Sequence, residues 1–116
     1  MIMYNNTVFL QKGDISMIRH VVMWKFKSRA EGKSKEENMA VVKQNLYALV
    51  PVISEIKKMD IGIDVKHTDA SMDLMLITEF DSLDTLAVYA VHPAHVKVAE
   101  YVRKVTESRV VLDHEI

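Results

Sequence analysis

The sequence predicts an α+β domain of the ferredoxin-like kind, a four-stranded antiparallel sheet with its helices on one face. Three observations predict it. Strand-forming segments with apolar residues on one or both faces recur at 18–27, 55–66, 72–80 and 108–115. Helical spacing of apolar residues fills the interval between the first and second of these, and between the third and fourth. The resulting order, β-α-β-β-α-β, is the split β-α-β arrangement, and 116 residues are enough for one such domain with a real core.

The first strand, Ile18 to Lys27, is dense in β-branched and aromatic residues. Alternation puts Ile18, His20, Val22, Trp24 and Phe26 on one face and Val21 and Met23 on the other, so both faces call for cover. A polar loop from Ser28 to Lys33 follows. Ser34-Lys-Glu-Glu37 is a capping box opening a helix that should run to about Val50, with Met39, Val42, Leu46 and Leu49 inward and Pro51 as its stop. From Glu55 to Lys66, Met59, Ile61, Ile63 and Val65 alternate with Lys58, Asp60, Gly62 and Asp64 as a half-buried strand. His67 to Ser71 reads as a turn, and Met72 to Phe80 as a strand apolar on both faces.

Asp81 or Ser82 should cap a short helix carrying Leu83, Leu86 and Ala90. At His92-Pro93 the helix must break, because proline disfavours helical backbone in the residue before it. Pro93 suits the first turn of a new helix, with His92 near its cap and Val96, Ala99, Val102 and Val105 as the buried stripe. Ser108 to Glu115 closes the sheet. With the helices on one face, Val21, Met23 and apolar positions of the third strand lie on the other. A patch of that kind is rarely left in water, so a two-fold homodimer is expected.

Residues 1–16 stand apart, because strong patterning begins only at a second methionine, Met17. The stretch Gln11 to Ser16 can be encoded by DNA with a purine-rich ribosome-binding sequence just upstream of that codon. We expect 1–16 to be an extension and 17–116 to be the domain; the other reading makes Thr7 to Leu10 a genuine extra strand, or the stretch an arm that packs on a partner.

The composition excludes several classes. Net charge is −1 with no basic block, which gives no footprint for nucleic acid or an anionic membrane. There is no cysteine, hence no disulfide, thiol nucleophile or thiolate metal site. No apolar run approaches the roughly 20 residues of a membrane span, and the first residues lack the marks of a secretory signal. A cytoplasmic location is the default expectation. Nucleotide and serine-hydrolase fingerprints are absent.

Chemistry is best sought in Tyr89-Ala-Val-His92-Pro-Ala-His95. A histidine at a helix start is biased toward neutral imidazole, able to take a proton. His20 joins the group if its face, bearing Val22 and Trp24, is the helix-covered one. Each residue also has a plain structural role open to it: His92 as a cap, His20 as a hydrogen-bonded core histidine, Tyr89 as a buried ring with a wet hydroxyl. Their joint occurrence is what suggests convergence on a pocket. His92 and His95, three apart, could share a metal, but the proline break and the want of a third ligand nearby argue against it; Asp113 and His114 are distant candidates.

Taken together, Ile18 to Lys27, the Pro51–Gly62 region, Phe80-Asp-Ser-Leu83, Tyr89 to His95 and Arg109-Val-Val-Leu-Asp113 resemble the stress-responsive dimeric α/β-barrel (Dabb) domain family over Met17 to Ile116. The resemblance implies a ferredoxin-like fold whose sheets join into a barrel across a homodimer. The best understood member is a plant polyketide cyclase that works without metal or organic cofactor. By similarity, His95 matches its general base, Tyr89 its substrate-orienting hydroxyl, His20 its first-strand pocket histidine and His92 a further histidine of the same motif. Val22 and Trp24 become candidate ligand contacts. A further pocket histidine of the cyclase falls at Leu74 here, which leaves the substrate open.

Two functions follow as expectations. The first is a cofactor-free enzyme in which His95, Tyr89 and His20 perform acid–base chemistry on a small carbonyl compound. The second is a non-catalytic dimer that binds a small apolar ligand or serves a stress response. A metal-binding dimer is a third.

Overall fold

The computed structural model describes Ile2–Tyr4, Thr7–Phe9 and residues 17–116. The elements are β1 (Ile2–Tyr4), β2 (Thr7–Phe9), β3 (Ile18–Phe26), β4 (Arg29–Ala30), β5 (Lys33–Ser34), α1 (Lys35–Tyr47), β6 (Lys58–Ile63), β7 (Leu74–Phe80), α2 (Leu83–Val91), α3 (Pro93–Val105) and β8 (Thr106–Glu115). β1 and β2 pair with each other as a separate two-stranded sheet. The rest of 1–16, on which the expectation of an extension turns, lies outside the described residues.

The main sheet has the order β6-β7-β3-β8, every pair antiparallel. This is the predicted ferredoxin-like topology. Val22, Trp24, Phe26, Leu74, Leu76 and Phe80 form the sheet side of the core; Met39, Val42, Leu46, Tyr89, Val102 and Val105 form the helix side. Each fully buried large apolar side chain of this kind contributes about 1.5–3 kcal/mol. His20 and Thr78 are register partners. Thr78 is fully buried, so His20 lies on the helix-covered face.

Several boundaries differ from expectation, each for a local reason. The loop after β3 is a small hairpin, β4 against β5. Its two-residue turn, Glu31-Gly32, has φ of +51° and +73°, the mirror-image turn that suits hairpin twist and that Gly32 adopts without strain. The α1 helix ends at Tyr47 rather than Val50, because the chain tightens ahead of Pro51 into three-residue bonds, Leu49 N–H to Leu46 O and Val50 N–H to Tyr47 O. Strand β6 extends only as far as its partner β7, from Lys58 opposite Glu79 to Ile63 opposite Leu74, so Val65 lies beyond it and is exposed.

Helix faces are the larger correction. In α2 the inward residues are Leu86 and Tyr89, while Leu83 is exposed; the Tyr89 ring packs 5.0 Å from that of Phe80. In α3 the stripe is Ala94, Val98, Tyr101, Val102 and Val105, and Val96 is exposed. Tyr101 decides that rotation. Its hydroxyl donates to Asn38 Oδ1 at 2.6 Å, and Asn38, buried in α1, donates from Nδ2 to Ala30 O.

The expected caps of α1 and α2 are both present. Ser34 and Glu37 form a reciprocal box, as do Ser82 and Thr85. Ser82→Ala is expected to destabilise the domain by about 1 kcal/mol, read as a lowered midpoint in urea unfolding with unchanged slope. An unchanged midpoint would show that the Ser82 cap does not hold the helix carrying Tyr89. Among the described residues no helix is long and apolar enough to cross a membrane.

Candidate active site

Between the helices and the covered face of the sheet lies a cavity of about 560 Å³. Its floor is set by strand alternation: His20, Val22 and Trp24 of β3 face it, with Val111 and Asp113 of β8 beside them in register. Tyr89 of α2 and His95 of α3 close it from the helix side. The His92-Pro93 break makes this possible, because it turns the chain between the two helices and brings the rings of Tyr89 and His95 to 4.2 Å, tilted by 39°.

Hydrogen bonds assign the histidine tautomer. His95 Nδ1 lies 3.0 Å from Ala90 O. A carbonyl only accepts, so Nδ1 carries the proton and Nε2 of the neutral ring holds the free lone pair. Burial pulls the His95 pKa below its ordinary value, with the charges at His20, Arg109 and Arg103 adding to it and the bond to Ala90 opposing. Burial pushes the Tyr89 hydroxyl up to about 12, Arg109 acting the other way. At neutral pH the wall therefore pairs a proton acceptor, His95, with a proton donor, Tyr89.

His20 is held by a cross-strand partner. Its Nδ1 meets Asp113 Oδ1 at 2.5 Å, and the two residues are opposite in the β3–β8 register. The carboxylate orients the ring.

All the sequence-predicted site residues but one line this cavity. The exception is His92, whose Nδ1 accepts from Ala94 N–H at 3.1 Å as the cap of α3. Its acceptor nitrogen is taken up by the helix start, so the ligand contact expected of it is absent from the lining. Leu74, where the cyclase pattern has histidine, is buried in the core and also outside the lining. Sequence reading missed Arg103 and Arg109 and offered Asp113 only as a distant metal candidate; all three line the cavity. Alternation from Arg109 through Val111 to Asp113 carried the signal, but it needed the β3–β8 register to be read. Among the described residues, no three of His, Asp or Glu gather as a metal ion would need.

The pKa direction of His95 makes a prediction. With its folded value below the ordinary 6.5, the unfolded chain binds more protons between the two values, so stability rises with pH there. This contribution is complete above 6.5 and is lost as pH falls through the folded value. The His95 ring protons, followed by NMR, should titrate with a midpoint below 6.5; a midpoint at or above it would contradict the buried placement.

The fold and this wall define a class, a ferredoxin-like domain with a cavity lined by His20, Tyr89 and His95 under its helices. The chain belongs to the stress responsive A/B barrel domain (Dabb) family, whose model matches residues 18–116. Olivetolic acid cyclase of Cannabis sativa is 28% identical over 99 residues, covering 84% of this chain and 94% of that protein. A dimeric protein of unknown function and ferredoxin-like fold from Bacteroides fragilis matches with a TM-score of 0.77 and 31% identity, over 86% of this chain and 96% of that one. Hydroxynitrile lyase from Passiflora edulis shares the fold, with a TM-score of 0.77 at 18% identity over 89% and 95% of the two chains.

Proposed function

We propose that the protein is an enzyme that moves a proton next to a carbonyl group using its own side chains, in the manner of a polyketide cyclase. One observation carries this reading: a neutral His95 with Nε2 free stands against a protonated Tyr89 in a mostly apolar cavity. His95 Nε2 takes the proton from the carbon beside the carbonyl. The Tyr89 hydroxyl donates a hydrogen bond to the enolate oxygen as charge develops there. His20, held by Asp113, supplies a second group able to give or accept a proton at the opposite wall. The enolate carbon then attacks a second carbonyl in an aldol-type ring closure, the new alkoxide taking the proton back from His95, or His95 returns the proton to a different carbon as an isomerisation. Similarity to a cyclase supports the carbonyl chemistry.

The working form is a homodimer. The face of the sheet away from the helices presents Val21, Met23, Ile77, Val110 and Leu112, with Val110 and Leu112 exposed in the single chain. A second copy, face to face, removes this surface from water. The similar protein from Bacteroides fragilis, described as dimeric, supports it.

Exchange of α-protons tests the proposal. The purified protein, incubated in D₂O with small ketones, is expected to speed deuterium incorporation beside the carbonyl, read by NMR. Binding without exchange would overturn the catalytic reading and leave the small-ligand-binding dimer.

A further inference from the structure

The wall that holds Tyr89 and His95 also carries two guanidinium groups, and the mechanism above uses neither. Arg103 comes from α3 and Arg109 from β8, and both line the cavity. Arg109 lies opposite Trp24 in the β3–β8 register, on the covered face. Among the described residues neither arginine has a carboxylate within ion-pair distance. The one acid of the wall, Asp113, is engaged by His20. Among the permanently charged residues of the lining, two arginines against one aspartate leave one positive charge in excess. The rest of the lining is largely apolar, including Val22, Leu76, Leu86 and Val98. Arg109 also lies close enough to influence the titration of both Tyr89 and His95.

We propose that Arg103 and Arg109 form an anion-recognising end of this cavity, and that its substrates are apolar carbonyl compounds bearing one carboxylate, that is, oxo acids. The inference rests on the catalytic reading for the carbonyl end and adds what recognises the other end. A guanidinium receives a carboxylate through paired N–H donors, which fixes direction as well as charge. A carboxylate held there leaves the alkyl chain against the apolar wall and brings the carbonyl toward Tyr89 and His95. The volume of about 560 Å³ falls within the range of small-molecule pockets, about 300–1,000 Å³.

Calorimetric titration with 2-oxooctanoate and with 2-octanone, its uncharged counterpart, tests the assignment. The wild type is expected to bind the acid about tenfold or more tightly than the ketone. Arg109→Gln should remove most of that preference and Arg103→Gln part of it. His95→Gln should keep the preference while losing proton exchange, which separates failure of this inference from failure of the catalytic reading. Equal binding of the two probes, or no binding of the acid, overturns the proposal. So does a preference that survives in both arginine variants. Should Arg109→Gln lose its fold by circular dichroism, wild-type titrations at low and high salt decide: a preference that does not fall with salt overturns the assignment.

Discussion

Replacing His95 with glutamine is expected to slow catalysed α-proton exchange by roughly 10²–10⁴-fold, the usual worth of a positioned general base. Glutamine is of similar size and its amide can still donate to Ala90 O, the bond that histidine Nδ1 makes at 3.0 Å. What it lacks is a basic nitrogen in the place of Nε2. Because His95 is only half-buried, the variant should stay folded, with a thermal midpoint within a few degrees of the wild type. The measurement is exchange rate against pH for both proteins, beside the uncatalysed rate in buffer. In the wild type the acidic limb should fall below pH 6.5, following the lowered His95 pKa, and the variant should lose that limb. A variant that exchanges protons as fast as the wild type would remove His95 from the mechanism.

The second large effect is expected at the opposite face of the sheet. Val110→Glu combined with Leu112→Glu should convert a dimer into monomers, raising the dissociation constant by about 10²-fold or more. Each position is more than half exposed in the single chain, at 52% and 62%, so the change costs the protomer little. Covered by a second copy, the same carboxylates would be buried without partners, at several kcal/mol. Nearby, Arg19 is already paired with Glu79 across β3 and β7 at 3.2 Å. Sedimentation velocity across a concentration series checks the outcome, with far-UV circular dichroism as the control on folding. A wild type that is monomeric at tens of micromolar, or a double variant that stays dimeric, would overturn the face-to-face arrangement.

What could be read from the chain was what depends on neighbours in sequence. The two-sided apolar pattern of Ile18 to Phe26, the capping box at Ser34, a cap at Asp81 or Ser82, and the break at His92-Pro93 are all local signals, and the structure has each of them, with Ser82 as the cap. The juxtaposition of Tyr89 with His95 was legible for the same reason, since the one-residue break at His92 brings these residues, six positions apart, into one wall. What depends on tertiary choice was not. Val96 and Val98 fit the helical period almost equally well, and a hydrogen bond from Tyr101 to Asn38, 63 residues away, selects the face. Asp113 became visible as the partner of His20 only once β8 was placed beside β3, 93 residues distant in sequence. Arg109 was hidden likewise, because an arginine in a closing edge strand looks like ordinary surface until its register is known.

The last strand shows what such a register permits. Arg109, Val111 and Asp113 point into the cavity, while Val110 and Leu112 lie on the other side of the sheet. Slipping the strand by one residue would exchange the two sets at a stroke, so its alignment is under double enforcement. Within that alignment the sets are independent. A lineage can therefore exchange the odd positions to suit a new ligand while the even ones keep their partner, and the same ribbon of backbone can accumulate two histories.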